Sequence, residues 1–214
     1  MKNKRIIDLT HVLIPGQEQY GLEVRQRSTR EGPTGDIMSD VYLWSHVGTH
    51  VEVPLHFYAN GKDTAQMPLK VFMGPAIRLD FRHKQKNEPI TLAELQAAGD
   101  IQLGEHVILW EGRDRLYRTS ESHDRPYITE EALAWLLEDR QVRLLGTDSS
   151  GFEVRGVAHH PNHTRWFHYD AAVLECLCNL DQIRQQHFYL IALPLPVVGL
   201  DACPVRAIAI EDEP

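Results

Sequence analysis

The sequence predicts a strand-rich α/β or α+β sandwich with one large sheet and few helices. Three observations carry that expectation. Segments rich in β-branched and aromatic residues outnumber amphipathic helical ones, and the helices come late. No internal repeat, low-complexity tract or Gly/Ser linker divides the 214 residues, so one domain over 1–214 is expected. A chain of this length buries roughly 70% of its unfolded surface and needs no disulfide or metal merely to fold.

Lys4 to Leu9 reads as an opening strand, and Pro15-Gly16 marks a turn. Gln17 to Asp36 is polar and turn-rich, a loop suited to lie over a site. Ile37 to Val53 reads mainly as strand, and Ala76 to Phe81 as another strand. Thr91 with Glu94 has capping-box form and opens a helix ended by Gly99. His106 to Trp110 is a buried strand. Thr129 caps a second helix whose Glu130 and Glu131 sit where the helix dipole favours them. That helix carries Leu133, Leu136 and Leu137 on one face to about Arg140. Val142 to Gly146 is a strand ending in Thr147–Gly151, and Asp170 to Leu180 reads as a third helix. Phe188 to Leu195 and Val205 to Ile210 close the chain as strands.

Lys plus Arg number 22 against 30 Asp plus Glu, a net charge of −8 that argues against a nucleic-acid or anionic-membrane binder. No apolar run reaches the ~18 residues of a membrane span, and Met1–Arg5 leads straight into a strand rather than a signal-peptide core. Cys176, Cys178 and Cys203 show no two-pair zinc spacing, as expected in a reducing cytoplasm. Twelve histidines, many in two short stretches, stand out.

The informative stretch is Ser45 to Phe57. His46, His50, Glu52 and His56 all fall on even positions, so an extended chain points them to one face. Ten residues of straight strand would span ~33 Å, whereas metal ligands sit only ~2 Å from the ion. The chain must therefore bend, and Gly48 and Pro54 are where bending is cheap. Val47, Thr49, Val51 and Val53 argue against a helix that would join His46 and His50 at i, i+4. His50 and Glu52, with His46 folded back across Gly48, form a nitrogen and oxygen donor set suited to Zn²⁺, with Mn²⁺ or Fe²⁺ as alternatives. His56, beyond Pro54, is left free to move protons near neutral pH.

This stretch resembles the His-x-Gly-Thr-His-x-Asp-x-Pro-x-His signature of the metal-dependent cyclase and kynurenine formamidase family. The match is complete except that Glu52 stands where Asp is usual. Ile7–His11 resembles the family's opening strand, and Leu144–Ser149 its mid-chain strand and turn. Ala192–Leu195 followed by Asp201–Arg206 is similar to its closing segment. The resemblance implies a swivelling β/β/α-type sandwich, a homodimer or higher oligomer, and hydrolysis of an amide or related bond. It also implies two further metal ligands, His163 and Glu175, a late histidine and a helix carboxylate twelve residues on. His159, His160 and His168 compete for the histidine position. Glu175 lies among apolar residues in Ala172–Leu177, where an unpaired carboxylate is expensive to bury. A cation, a nearby Arg or exposure would each relieve it.

Tyr20 stands where the family carries an aromatic that packs on substrate. Asp148, at a strand end, fits either a group orienting a ligand histidine or a turn cap. Cys176 and Cys178 fall on different sides of the third helix, against a thiolate site, and Cys203 has no base partner and reads as a small buried hydrophobe.

The expected activity is metal-dependent hydrolysis of a small amide, formamide or lactam-like substrate. One or two ions would polarise the carbonyl and make hydroxide available, and His56 would shuttle the proton. Phe57, Tyr58 and Trp166 are available as an aromatic wall. The rivals are a cyclase or dehydratase that uses the ion only as a Lewis acid, and a metal-binding protein without turnover. Five ligands are generous for one catalytic zinc, and the resemblance implies two ions bridged by Glu52, against a single ion held by His46, His50 and Glu52 with His163 as a substrate or supporting donor.

Overall fold

The computed structural model describes residues 4–28 and 37–213. Part of the expected loop Gln17–Asp36 therefore lies outside the described residues. In chain order the strands are β1 (Lys4–Asp8), β2 (Leu22–Ser28), β3 (Ile37–Leu43), β4 (His50–Glu52), β5 (Met73–Asp80), β6 (Pro89–Ile90), β7 (His106–Trp110), β8 (Tyr127–Ile128), β9 (Leu144–Thr147), β10 (Ala172–Glu175), β11 (His187–Ile191), β12 (Ala202–Pro204) and β13 (Ile208–Asp212). The helices are α1 (Leu92–Ala98), α2 (Glu130–Glu138) and α3 (Pro161–His168).

Nine strands form one mixed sheet in the order β1-β13-β11-β5-β7-β9-β10-β4-β12. Its centre, β5-β7-β9-β10, is parallel, and antiparallel pairs extend it on both sides. Strand residues of opposite parity feed two cores. Ile77, Leu79, Val107, Leu109, Leu145 and Val173 pack on the helices through Leu95, Leu133, Leu136 and Trp166. Ala76, Ile108, Leu144 and Leu174 face the other way, onto Val51, Leu190 and Ala209 from elsewhere in the curled sheet. This is the strand-rich layered sandwich expected from the sequence, with helices over one face. Each buried leucine of α2 contributes about 1.5–3 kcal/mol of transfer free energy, which outweighs the propensity of so short a helix.

Two helix starts are built as read. The Thr91 hydroxyl accepts the Glu94 N–H, and the Glu94 carboxylate accepts the Thr91 N–H, a complete capping box. Thr129 caps α2 in the same way at the Ala132 N–H.

Three expectations fail. Asp170–Leu180 is not a helix; it holds β10, and Glu175 sits at that strand's end. The strand is buried on both faces, so it lacks an alternating pattern and reads like buried helix. Cys176 and Cys178 accordingly follow a strand, and the helix-side argument against a thiolate site lapses. The third helix lies earlier, at α3, and opens with Pro161 at its first position, where a missing N–H costs nothing. Ile37–Val53 is two strands, β3 and β4, parted by a turn, and the expected polar loop contains β2, paired antiparallel with β3.

Candidate metal centre

Gly48 makes the turn between β3 and β4. Its φ is +69°, and a methyl group there would stand 2.3 Å from Leu13 Cδ2. The left-handed conformation alone costs a non-glycine residue about 1–2 kcal/mol. Gly48→Ala is therefore expected to lower the melting temperature and weaken metal retention together, as read by thermal unfolding and elemental analysis. An unchanged melting temperature would show that the turn tolerates a side chain.

The bend brings His46 back over β4. Its Nε2 lies 3.2 Å from Glu52 Oε1, and His50 Nε2 lies 3.5 Å from the same oxygen. In the ladder between β4 and β10, His50 stands directly opposite Glu175, and Glu52 opposite Val173. All of these positions share the face that looks toward α3. Glu175 Oε2 is 3.8 Å from His50 Nε2, and its Oε1 is 3.8 Å from His163 Nε2. The structure thus brings His46, His50, Glu52, His163 and Glu175 into one cluster.

His163 is fixed from behind. Its Nδ1 is 2.6 Å from Glu153 Oε2, while Glu153 Oε1 accepts the Asn162 N–H at 2.8 Å and so caps α3. Its ring stacks between Phe152 and Phe57, at centroid distances of 4.3 and 5.6 Å. Burial disfavours the charged imidazole, but the hydrogen bond to Glu153 and the nearby Glu175 carboxylate outweigh it and push the pKa up to about 9. His160 is exposed at the rim with Nδ1 3.3 Å from Glu153. His159 is also exposed, and His168 faces Tyr58, with ring centroids 6.3 Å apart.

His56 lies on a short helical turn begun by Pro54. Its Nδ1 is 2.9 Å from Asp201 Oδ2, and its Nε2 is 3.9 Å from Glu52 Oε1. Burial would raise the Asp201 pKa, but the hydrogen bond from His56 and the charge of His46 hold the carboxyl below its ordinary value. The ionised Asp201 accepts from Nδ1, which leaves the Nε2 lone pair of His56 as the free base.

The donors suit a cation. His46 Nε2, His50 Nε2 and Glu52 Oε2 are buried without a hydrogen-bond partner. His50 Nδ1 lies 2.8 Å from the Gly48 carbonyl, an acceptor only, so Nδ1 carries the proton and Nε2 offers a lone pair. Ligands about 2.1 Å from an ion at tetrahedral angles stand roughly 3.4 Å apart, close to the spacings seen here. Burial opposes ionisation of Glu52, but the imidazoles of His46 and His50 beside it draw its pKa well below the usual value.

The cluster lines a cavity of about 690 Å³. Tyr20, Trp44 and Phe57 contribute to its aromatic lining, together with Tyr42 and Tyr117, and the Tyr20 and Trp44 ring centroids are 5.9 Å apart. Trp166 is instead fully buried beneath the sheet, and the Tyr58 hydroxyl donates to the Thr164 carbonyl, so neither makes that wall. Glu18 pins the Tyr20 loop by accepting from Tyr117 Oη at 2.6 Å and from the Ile14 N–H at 2.6 Å. Asp148 does not touch a ligand histidine; it accepts the N–H groups of Glu111 and Arg113, a turn cap. Cys203 is buried, and all three cysteines are free.

Sequence reasoning did not find the roles of Asp201 and Glu153. Glu153 could have been suspected as an acid ten residues before a histidine; Asp201 reaches His56 only through the fold.

Residues 7–154 match the model of the family described as "Putative cyclase". The chain belongs to that family. Among its relatives, the kynurenine formamidase of Geobacillus thermodenitrificans is 30% identical over 90% of this chain and 88% of its own. A solved structure described as a potential metal-dependent hydrolase with cyclase activity superposes with a TM-score of 0.80 at 27% identity, covering 99% of this chain and 100% of the other. Isatin hydrolase A from Labrenzia aggregata has the same fold, with a TM-score of 0.83 at 24% identity over 99% and 95% of the two chains.

Glu111 lies behind the Asp148 turn, 2% exposed, with neither oxygen hydrogen-bonded. Burial and the nearby Asp148 charge push its pKa from 4.5 up to about 8. The folded chain then keeps a proton that the unfolded chain has lost, so this contribution to stability is full below about 4.5 and gone above about 8. Glu111→Gln is expected to flatten that decline. Its melting temperature should overtake wild type by a growing margin from pH 5 to 8, at about 2–4 °C for each kcal/mol. Parallel profiles for the two proteins would show that Glu111 is ionised when folded.

Proposed function

We propose that this cyclase-family chain is a metal-dependent hydrolase of a small amide, formamide or lactam-like C–N bond. The observation that carries the reading is the set of orphaned imidazole nitrogens and carboxylate oxygens gathered at the cavity wall. The names of its relatives, kynurenine formamidase and isatin hydrolase, agree with that chemistry. His46, His50, Glu52, His163 and Glu175 would hold the ion. When bound, a divalent cation supplies Lewis acidity to a carbonyl and lowers the pKa of water towards ~7. His56 Nε2 takes the proton from the attacking water and returns it to the leaving amine. Asp201 keeps His56 in the required tautomer, and Glu153 does the same for His163. Tyr20, with Trp44 and Phe57, packs on the substrate and excludes bulk water.

Imidazole and carboxylate donors favour Zn²⁺, with Mn²⁺ as the alternative. The two Glu175 oxygens face different histidines, and Glu52 keeps one oxygen free, which supports two ions per chain. Two metal equivalents in wild type should fall to one in Glu175→Gln; one equivalent in both would leave a mononuclear site. The chain would act as one domain. Val24, Ile37, Met38 and Val41 of the β2–β3 hairpin are exposed, which supports a homodimer or higher oligomer. Free cysteines support a reducing cytoplasm, and none of the helices is long and apolar enough to cross a membrane among the described residues. Elemental analysis of protein purified without chelator, then assays on N-formylkynurenine, isatin and simple aryl formamides with that metal restored, test the function. Metal-loaded protein inert to all of them would reject it.

A further inference from the structure

One wall of the cavity carries a cation that the proposed chemistry leaves unused. Arg125 lies just before β8, is only 9% exposed, and lines the same cavity as His46 and Glu175. Its Nε donates to the Glu153 carbonyl at 3.0 Å, and its Nη1 to Ser150 Oγ at 3.2 Å. The His123 carbonyl lies 3.5 Å from Nη1. These partners are all neutral. Nη2 has no protein acceptor, and the guanidinium pairs with no carboxylate, among the described residues.

The guanidinium rests against the backbone of Gly151, whose φ is +117°. A methyl group there would come within 3.1 Å of Nη2 and 3.3 Å of Nε. The slot is thus shaped for a flat group with no side chain beneath it. Glu111 lies near enough for Arg125 to act on its carboxyl, but it makes no ion pair with the guanidinium, and burial and Asp148 hold that carboxyl above its ordinary pKa. Two other basic groups at this wall are at least partly engaged, with Arg113 Nε left without a partner. Arg113 Nη2 donates to the Lys84 carbonyl at 2.6 Å, and His123 Nδ1 is 2.9 Å from Ser150 Oγ. A buried guanidinium without a counter-charge is unfavourable, and a ligand carboxylate supplies both the charge and the acceptor that Nη2 lacks.

We infer that Arg125 recognises a carboxylate on the non-reacting end of the substrate, so that the chain selects anionic amides over neutral ones. The nature of the reacting end rests on the hydrolase reading above; recognition of the carboxylate does not. Arg125 is then a specificity residue, and its contribution depends on the forked, always-charged guanidinium that lysine cannot reproduce.

The test uses two ligands with no amide bond, 4-oxo-4-phenylbutanoate and its neutral near-isostere 1-phenylpentane-1,4-dione, titrated calorimetrically into the metal-loaded protein. The acid should bind about tenfold or more tightly than the dione. Arg125→Gln should reduce that preference to less than about twofold, chiefly by weakening binding of the acid, and Arg125→Lys should keep part of it. Circular dichroism verifies that the variants fold, and the wild-type comparison stands without them. Equal binding of the two ligands to wild type overturns the inference. A preference that survives Arg125→Gln, or disappears when wild type is stripped of metal, also overturns it by placing the carboxylate at the histidine cluster. Selective binding through Arg125 without hydrolysis of any amide would reject the proposed function and leave this inference standing. Hydrolysis without selectivity would do the reverse.

Discussion

Replacing His50 with alanine should remove most bound metal and all measurable amide hydrolysis. The side chain is 3% exposed, its Nδ1 is committed to the Gly48 carbonyl, and its Nε2 faces Glu52 and Glu175 with no hydrogen-bond partner. Alanine deletes a donor that no neighbour can replace, and it leaves two carboxylates close together with one fewer nitrogen between them. The fold should survive, because the strand pairing of β4 with β10 and β12 is made by backbone groups. Elemental analysis and circular dichroism of the purified variant read the two effects separately. Full metal occupancy in folded His50→Ala would remove His50 from the ligand set. His50→Asn, polar but shorter, should fall between alanine and wild type in metal retention.

His56→Asn should give the opposite pattern. Metal is retained, and kcat falls about 10²-fold or more, the range for loss of a proton-transferring group. His56 is exposed beside buried Glu52, and Asp201 holds it from the far side of the ring. Asp201→Asn should also lower kcat, less severely, because the amide can donate to Nδ1 and favour the wrong tautomer. The structure also groups His56 with His46 and Glu52 as a geometrically possible metal triad. Loss of metal in His56→Asn would assign His56 to the ligands, and near-normal turnover would make it structural.

Much of this site was legible because its first donors are local. His46, His50, Glu52 and His56 share one parity within eleven residues, and Gly48 and Pro54 mark where the chain turns. The capping residues Thr91 and Thr129 were legible for the same reason, since a cap is written within four residues of its partner. Asp170–Leu180 was misread because β10 lies under other layers on both sides. Burial on two faces erases the alternation that distinguishes a strand from a buried helix. Helix α3 escaped because its polar, histidine-rich sequence shows no broad apolar stripe, and His160 enters it in a left-handed conformation. Asp201 and Arg125 owe their places to contacts across the fold, which no local pattern encodes.

The register that sets Glu175 opposite His50 joins positions 125 residues apart. During synthesis, the segment bearing three imidazoles emerges long before β10, the strand that completes its surroundings. The early segment alone is a flexible peptide, and such a peptide ranks divalent cations by intrinsic affinity, with copper ahead of zinc and manganese. Closing so long a loop is entropically costly and comes late in folding. Only after that closure do the two glutamates and His163 impose a fixed geometry on whatever ion is present. The long separation between the halves of the centre therefore acts in time as well as in space: the full set of candidate donors exists only after the chain has closed across 125 residues.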